Sequence, residues 1–221
     1  MVQNERLKPT EKKPHYDVVF ALTGQSYTPW FVNSLAETLQ FMDKQNLTYK
    51  VISSTMTPPR LAREDVMTLG DWMNIEDNVA FRDEFDYTKV FWVEPNMTWT
   101  AEDFFDLWRS RHKITSGWYV HPDRTTSYTL DGTTPVPMDE VSQAQKYIEV
   151  VTTGFGFLMV EKGIFESMAK PWFDNYILEH DGRLVSAISE ETSWCIEAHN
   201  SGHSIWVDTS VRVGQSKSVI L

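Results

Sequence analysis

The chain has 221 residues, 41% of them hydrophobic, enough for one compact domain with its own core. Aromatics reach 13%, including nine Trp and twelve Phe, which excludes a largely disordered chain. Thirty-one acidic residues against 20 basic ones leave a formal charge of −11, which repels nucleic-acid backbones and anionic lipid, so neither is expected as a partner.

Residues 1–15 are polar and charged and read as a flexible leader without the apolar stretch of a signal peptide. Residues 16–221 read as a single domain. Asp17 to Thr23 is a continuous apolar run, expected to be a strand buried on both faces. Thr28-Pro29 has the form of an N-cap followed by proline at the first helical position. Phe31, Leu35, Leu39 and Met42 continue at helical spacing, and Tyr49 to Ser53 is a second strand. Such a strand–helix–strand unit implies parallel strands joined by a right-handed crossover. A helix is expected over Arg60 to Leu69, whereas residues 70–87 are mixed and acidic and give no clear pattern.

Lys89 to Val93 is the third strand, ending in Glu94-Pro95-Asn96. Thr100 caps a helix whose apolar face carries Phe104, Phe105, Leu107 and Trp108. Ile114 to Val120 is a strand, and residues 121–145 read as a long loop or loose hairpin. Tyr147 to Thr153 and Phe155 to Glu161 read as strands that bend near Gly154 and Gly156. A short helix spans Gly163 to Met168 and a turn follows at Pro171-Trp172-Phe173. Ser189-Glu190-Glu191 opens a helix to about Asn200, and Ser204 to Asp208 is a last short strand. The expected fold class is α/β, with a mixed, mostly parallel sheet between helices. No apolar run approaches the roughly 20 residues of a membrane span. The single cysteine, Cys195, excludes an intrachain disulfide and fits a reducing, cytoplasmic compartment.

In open α/β sheets, ligands bind outside the carboxyl ends of the strands. Thr23-Gly24 ends the first strand, where glycine lets backbone approach a ligand. Glu94 and Asn96 lie two apart and so face the same way, offering two oxygens to one hard cation. The same tripeptide also reads as an ordinary polar turn. Glu190 and Glu191 complement the helix dipole at a helix start, and either is a candidate general base. The segment Asp208 to Lys217 reads as a solvated C-terminus or as a cover over a diphosphate, with Lys217 as a point charge. Aromatic rings such as those of the Trp residues stack well on sugar faces and bases, and suit a core equally well.

Taken in order, these pieces resemble the GT-A-fold glycosyltransferases, especially short family-2-like bacterial and phage-type members, over roughly residues 16–217. The resemblance implies a Rossmann-like GT-A domain. It places the nucleotide-sugar donor, with UDP the family's commonest nucleotide, near Thr23, Gly24, Ser53, Arg60, Arg63, Gly154 and Lys217. Phe91-Trp-Val-Glu94-Pro-Asn96 stands where the family has an Asp-x-Asp metal motif. Thr153-Gly-Phe-Gly-Phe157 is similar to its glycine-rich strand pair, and Glu190-Glu191 to its acidic pair, whose second member is the usual base. Asp208 to Lys217 matches a closing segment in which Gln215 replaces a histidine that is often a metal ligand. The implied cofactor is Mn²⁺ or Mg²⁺ at Glu94, Asn96 and Gln215, with a glycan or other hydroxyl acceptor near Trp172 and Phe173. Two neutral amides in place of a carboxylate and an imidazole weaken such a site. The alternative is a GT-A domain that binds a nucleotide or glycan without turnover. A nucleotidyltransferase is disfavoured, because no glycine- and lysine-rich signature lies near the first strand.

Overall fold

A computed structural model describes residues 12–74, 76–141, 144–175, 177–180 and 183–216. The chain opens with β1 (His15–Thr23), which starts two residues before the expected apolar run. Thr28 then caps α1 (Pro29–Lys44), its hydroxyl accepting from the Phe31 N–H at 3.2 Å, with proline in the first turn. β2 (Tyr49–Ser54) and α2 (Pro59–Thr68) follow, and α2 ends at Leu69 in the left-handed conformation. Part of the unassigned segment 70–87 is a turn at Ala80–Asp83 with left-handed backbone at Phe81, Arg82 and Asp83, and β3 (Asp86–Val93) begins inside that segment.

After β4 (Met97–Thr98), α3 (Ala101–Arg109) starts with a capping box. The Thr100 hydroxyl accepts from the Asp103 N–H, and Asp103 accepts from the Thr100 N–H at 2.8 Å. β5 (Ile114–Trp118) is followed by β6 (Thr125–Thr129) and β7 (Pro135–Pro137), which pair as the loose hairpin anticipated there. Then come β8 (Tyr147–Val150), β9 (Thr152–Thr153) and β10 (Phe157–Glu161), of which β9 pairs with β6. The expected helix at 163–168 is a single 3₁₀ turn, Phe165–Ser167. A hairpin of β11 (Ile177–His180) and β12 (Arg183–Ala187) precedes α4 (Glu190–Asn200), capped by Ser189. The last strands are β13 (Ile205–Arg212) and β14 (Gly214–Gln215).

The central sheet has seven strands in the order β2-β1-β3-β10-β5-β13-β8. β2, β1, β3, β5 and β13 run one way, and β10 and β8 oppose them. The two strands flanking the glycines are therefore not partners. β10 inserts between β3 and β5, while β8 sits at the sheet edge beside β13. β13 also runs four residues past its expected end, because it pairs with β5 as far as Arg212.

Alternation sorts the strand side chains into two layers. Val18, Phe20, Leu22, Phe91, Val93, Phe157 and Met159 bury against Phe31 and Met42 of α1 and Phe104, Phe105 and Leu107 of α3. Val19, Ala21, Val90, Trp92, Leu158 and Val160 bury against Val66 and Met67 of α2 and Trp194, Cys195 and Ala198 of α4. Among the described residues, no helix is long and apolar enough to cross a membrane.

Candidate functional site

The carboxyl ends of β1 and β3 open into a cleft of about 720 Å³, lined by Thr23, Ser26, Thr28, Pro59, Arg63, Glu94, Pro95, Asn96, Glu190, Glu191 and Ser216. The turn Glu94-Pro95-Asn96 is its hub, held from four directions. The Glu94 N–H donates to the Gly156 carbonyl, and the Thr28 N–H donates to the Pro95 carbonyl at 3.0 Å. Ser216 donates both its N–H and its hydroxyl to the Asn96 carbonyl, just beyond the β4–β14 ladder. Gly24, at φ +152°, lies so close that an added Cβ would come within 2.7 Å of the Pro95 ring. A side chain there would displace the turn, so this glycine serves a close approach.

The charged centre joins three elements. Arg63, from α2, is only 4% exposed, yet its side chain faces the carboxylates of the cleft. One terminal nitrogen donates to Glu190 Oε1 and the other to Glu191 Oε1, each at 2.5 Å, and the second also lies 3.7 Å from Glu94 Oε1. The guanidinium carbon sits 5.1 Å from the centre of the Phe155 ring, and Nε is buried without a hydrogen-bond partner. Glu190 and Glu191 reach it from the first turn of α4, where the helix dipole favours negative charge. Burial, and then the neighbouring Glu191, push the Glu94 carboxyl above the usual carboxylate range, against the opposing pull of Arg63.

Two residues in this centre carry no sequence signal of function. Tyr119, within the apolar run after Ile114, is buried beside Gly154 and Gly156. A Cβ at Gly154 would lie 2.3 Å from its hydroxyl and 3.6 Å from Glu191 Oε2, so glycine here leaves room for both groups. Burial and the nearby Glu94 and Glu191 push the Tyr119 phenol well up, leaving it a neutral proton donor. Phe155 is the second, a ring wedged among Trp92, Phe173 and Trp194 beneath Arg63.

Glu94, Asn96 and Gln215 lie together across the β4–β14 ladder, and Gln215 Nε2 donates weakly to Glu94 Oε2 at 3.4 Å. The amide oxygens of Asn96 and Gln215 are buried without partners. Among the described residues, no group of three His, Cys, Asp or Glu side chains is placed to cage a metal. An all-oxygen set with one carboxylate fits a hard divalent cation only when further oxygens, such as those of a diphosphate, complete its shell.

Other expected site residues sit elsewhere. Ser53 is exposed on β2 and does not line the cleft. Arg60 and Phe173 border a separate hollow of about 430 Å³, with Arg60 lying 3.8 Å from Asp174. Trp172 and Phe173 are 3% and 1% exposed and pack against Phe165 and Trp92, so neither ring presents a face for acceptor stacking. The hydrophobic gain of burying such rings outweighs any exposed placement. Beside them, Glu64 is buried and accepts the Phe173 N–H, and burial raises its carboxyl to about 7. Lys217 lies outside the described residues.

No protein-family model matches the chain, and no curated protein sequence does. Similarity appears among solved structures. A197 from STIV superposes with a TM-score of 0.52 at 11% identity, covering 93% of this chain and 96% of that one. GalNAc-T7 solved with UDP, GalNAc and Mn²⁺ superposes with a TM-score of 0.50 at 10% identity, covering 92% of this chain and 44% of that one. This chain thus spans less than half of the GalNAc-T7 chain it matches. At such identities the likeness concerns backbone architecture: a mixed α/β sheet flanked by helices, in a GT-A-like, Rossmann-like arrangement.

Proposed function

We propose that the chain transfers a sugar from a nucleotide-sugar donor to an acceptor hydroxyl. One observation carries this reading: the acids of the α4 N-terminus and the Glu94-Pro95-Asn96 turn converge on one cleft at the strand ends. The GT-A-like fold, shared with a structure that holds UDP, GalNAc and Mn²⁺, supports it by analogy of architecture.

In this mechanism, the donor lies over Thr23, Gly24 and the Pro95 turn. Glu191 is the general base. Its Oε1 is tied to Arg63, and Oε2 takes the proton of the acceptor hydroxyl. The acceptor oxygen bonds to the sugar's anomeric carbon as the bond from that carbon to phosphate oxygen breaks, and the nucleoside diphosphate leaves with the electron pair. Glu190 holds the other side of Arg63. Tyr119 keeps a protonated hydroxyl behind the two carboxylates. Among the described residues, the cleft's charged groups are three carboxylates, Glu94, Glu190 and Glu191, against one guanidinium. That surplus of negative charge opposes a diphosphate. A divalent cation, when bound through Glu94, Asn96 and Gln215, would supply charge neutralisation for the leaving diphosphate.

Glu191→Gln is expected to lower transfer by about 10²–10⁴-fold and leave UDP affinity within a few-fold, because the amide cannot accept the proton. Radiolabelled-donor transfer and titration calorimetry check the two halves, and equal loss of both would remove Glu191 from the base role. Calorimetry of UDP with and without Mn²⁺ tests the cation. Unchanged affinity would remove Glu94, Asn96 and Gln215 as ligands. The weakened oxygen set also favours a second reading, a nucleotide- or glycan-binding domain without turnover. Failure to release nucleotide from any common UDP- or GDP-sugar, with or without Mn²⁺, would select it.

A further inference from the structure

Arg63 has an unusual set of partners for a residue expected beside the nucleotide-sugar donor. Its two terminal nitrogens do not grip one carboxylate in the usual fork. They divide between Glu190 and Glu191, and the second nitrogen leans towards Glu94. The guanidinium is nearly buried and is backed by the Phe155 ring. An incoming diphosphate would meet three carboxylates around this group. Displacing any of them would leave a partly buried anion unpaired, which is costly.

We infer that Arg63 is a positioning residue, which fixes the two α4 carboxylates in the cleft and does not bind the donor phosphates. This rests on the glycosyl-transfer reading and specifies how its base is aimed. A glutamate base has three side-chain torsions, and freezing them costs rotamer entropy. Tying Glu191 Oε1 to a buried guanidinium meets that cost in the folded protein before substrate arrives. The other oxygen, Oε2, lies beside Gly154, 3.6 Å from where a Cβ there would stand, so the absent side chain leaves it space. Glu190, bonded to the other terminal nitrogen, stops the guanidinium from rotating. The fork joins α2 to α4, so the base is referenced to the β1–α2 side of the cleft, where the donor is proposed to lie.

The test separates turnover from nucleotide binding in two variants with unchanged thermal melting. Arg63→Gln is expected to lower kcat for transfer at least 100-fold while the calorimetric Kd for UDP with Mn²⁺ moves less than threefold. Arg63→Lys keeps the charge but bonds one carboxylate at a time. It covers the case in which Arg63→Gln fails to fold, and its kcat should fall about tenfold with Kd within twofold. A loss of UDP affinity matching the loss of kcat/KM makes Arg63 a phosphate ligand and overturns the inference. Undiminished kcat in Arg63→Lys overturns it as well. The wild type is assayed first. Absence of all turnover there defeats the glycosyl-transfer reading itself, an outcome distinct from turnover whose loss tracks UDP binding.

Discussion

The two faces of the central sheet both bury many aromatic side chains but treat charge differently. On the α1–α3 face the core is a run of interlocked rings, with Phe91 set edge-on to Phe20, Phe104 and Phe157 at 4.9–5.6 Å. Among the described residues, its one buried cation, Lys89, donates to the Trp108 and Ser110 carbonyls at the end of α3, where the helix dipole welcomes positive charge. On the α2–α4 face the cation is Arg63, and it meets carboxylates at the mouth of a cleft. The contrast distinguishes a buried charge that finishes a helix from one that is shared among carboxylates of other elements. The first is satisfied by neutral carbonyls and needs no opening to solvent. The second gathers three carboxylates around one guanidinium at the edge of an open cleft.

The largest expected effect falls on the dry face. Phe91→Ala should cost about 3–5 kcal/mol, because no neighbour can collapse into the space of a fully buried ring. A urea denaturation midpoint measures it, and UDP affinity of the folded fraction should stay unchanged. If UDP binding falls with stability, the two faces are not independent.

The wet face makes the next prediction through Glu64. Its folded carboxyl titrates at about 7, raised by burial from an ordinary 4.5. Between those values the folded state retains a proton that the unfolded chain has lost. The contribution of Glu64 to stability is therefore greatest below about pH 4.5, falls as pH rises, and levels off above 7, a total of about 3 kcal/mol. Glu64→Gln keeps an oxygen for the Phe173 N–H and should remove this slope, raising stability at pH 8. Unfolding midpoints at pH 5 and 8 decide, and an equal slope in both proteins would assign the buried proton elsewhere. The smallest effect belongs to a helix end. Thr100→Ala removes the capping box of α3 and should cost about 1 kcal/mol by thermal melting, without altering transfer.

Legibility followed the same division. α1 and α3 announce themselves, since Thr28-Pro29 and Thr100 with Asp103 are local cap chemistry that needs no distant partner. The strands β1 and β3 are visible as apolar runs because both of their faces are covered. The segment 70–87 is opaque, for its left-handed turn at Ala80–Asp83 packs Phe81 against Phe85 and Tyr87 without helical or strand periodicity. Trp172 and Phe173 were open to two placements by composition alone, and their burial depends on a wall built by Trp92 and Phe155 far away in the chain.

By itself the sequence determined the α/β alternation, the caps, the buried strands, and the acidic residues available at strand and helix ends. These are short-range consequences of residue type, spacing and backbone preference. Only the tertiary structure decided that β10 separates β3 from β5, that Tyr119 stands behind Gly154, and that Arg63 is shared by Glu190 and Glu191. Those relations join residues dozens of positions apart, and a guanidinium's choice between phosphate and carboxylate depends on which charges the fold brings within hydrogen-bond reach.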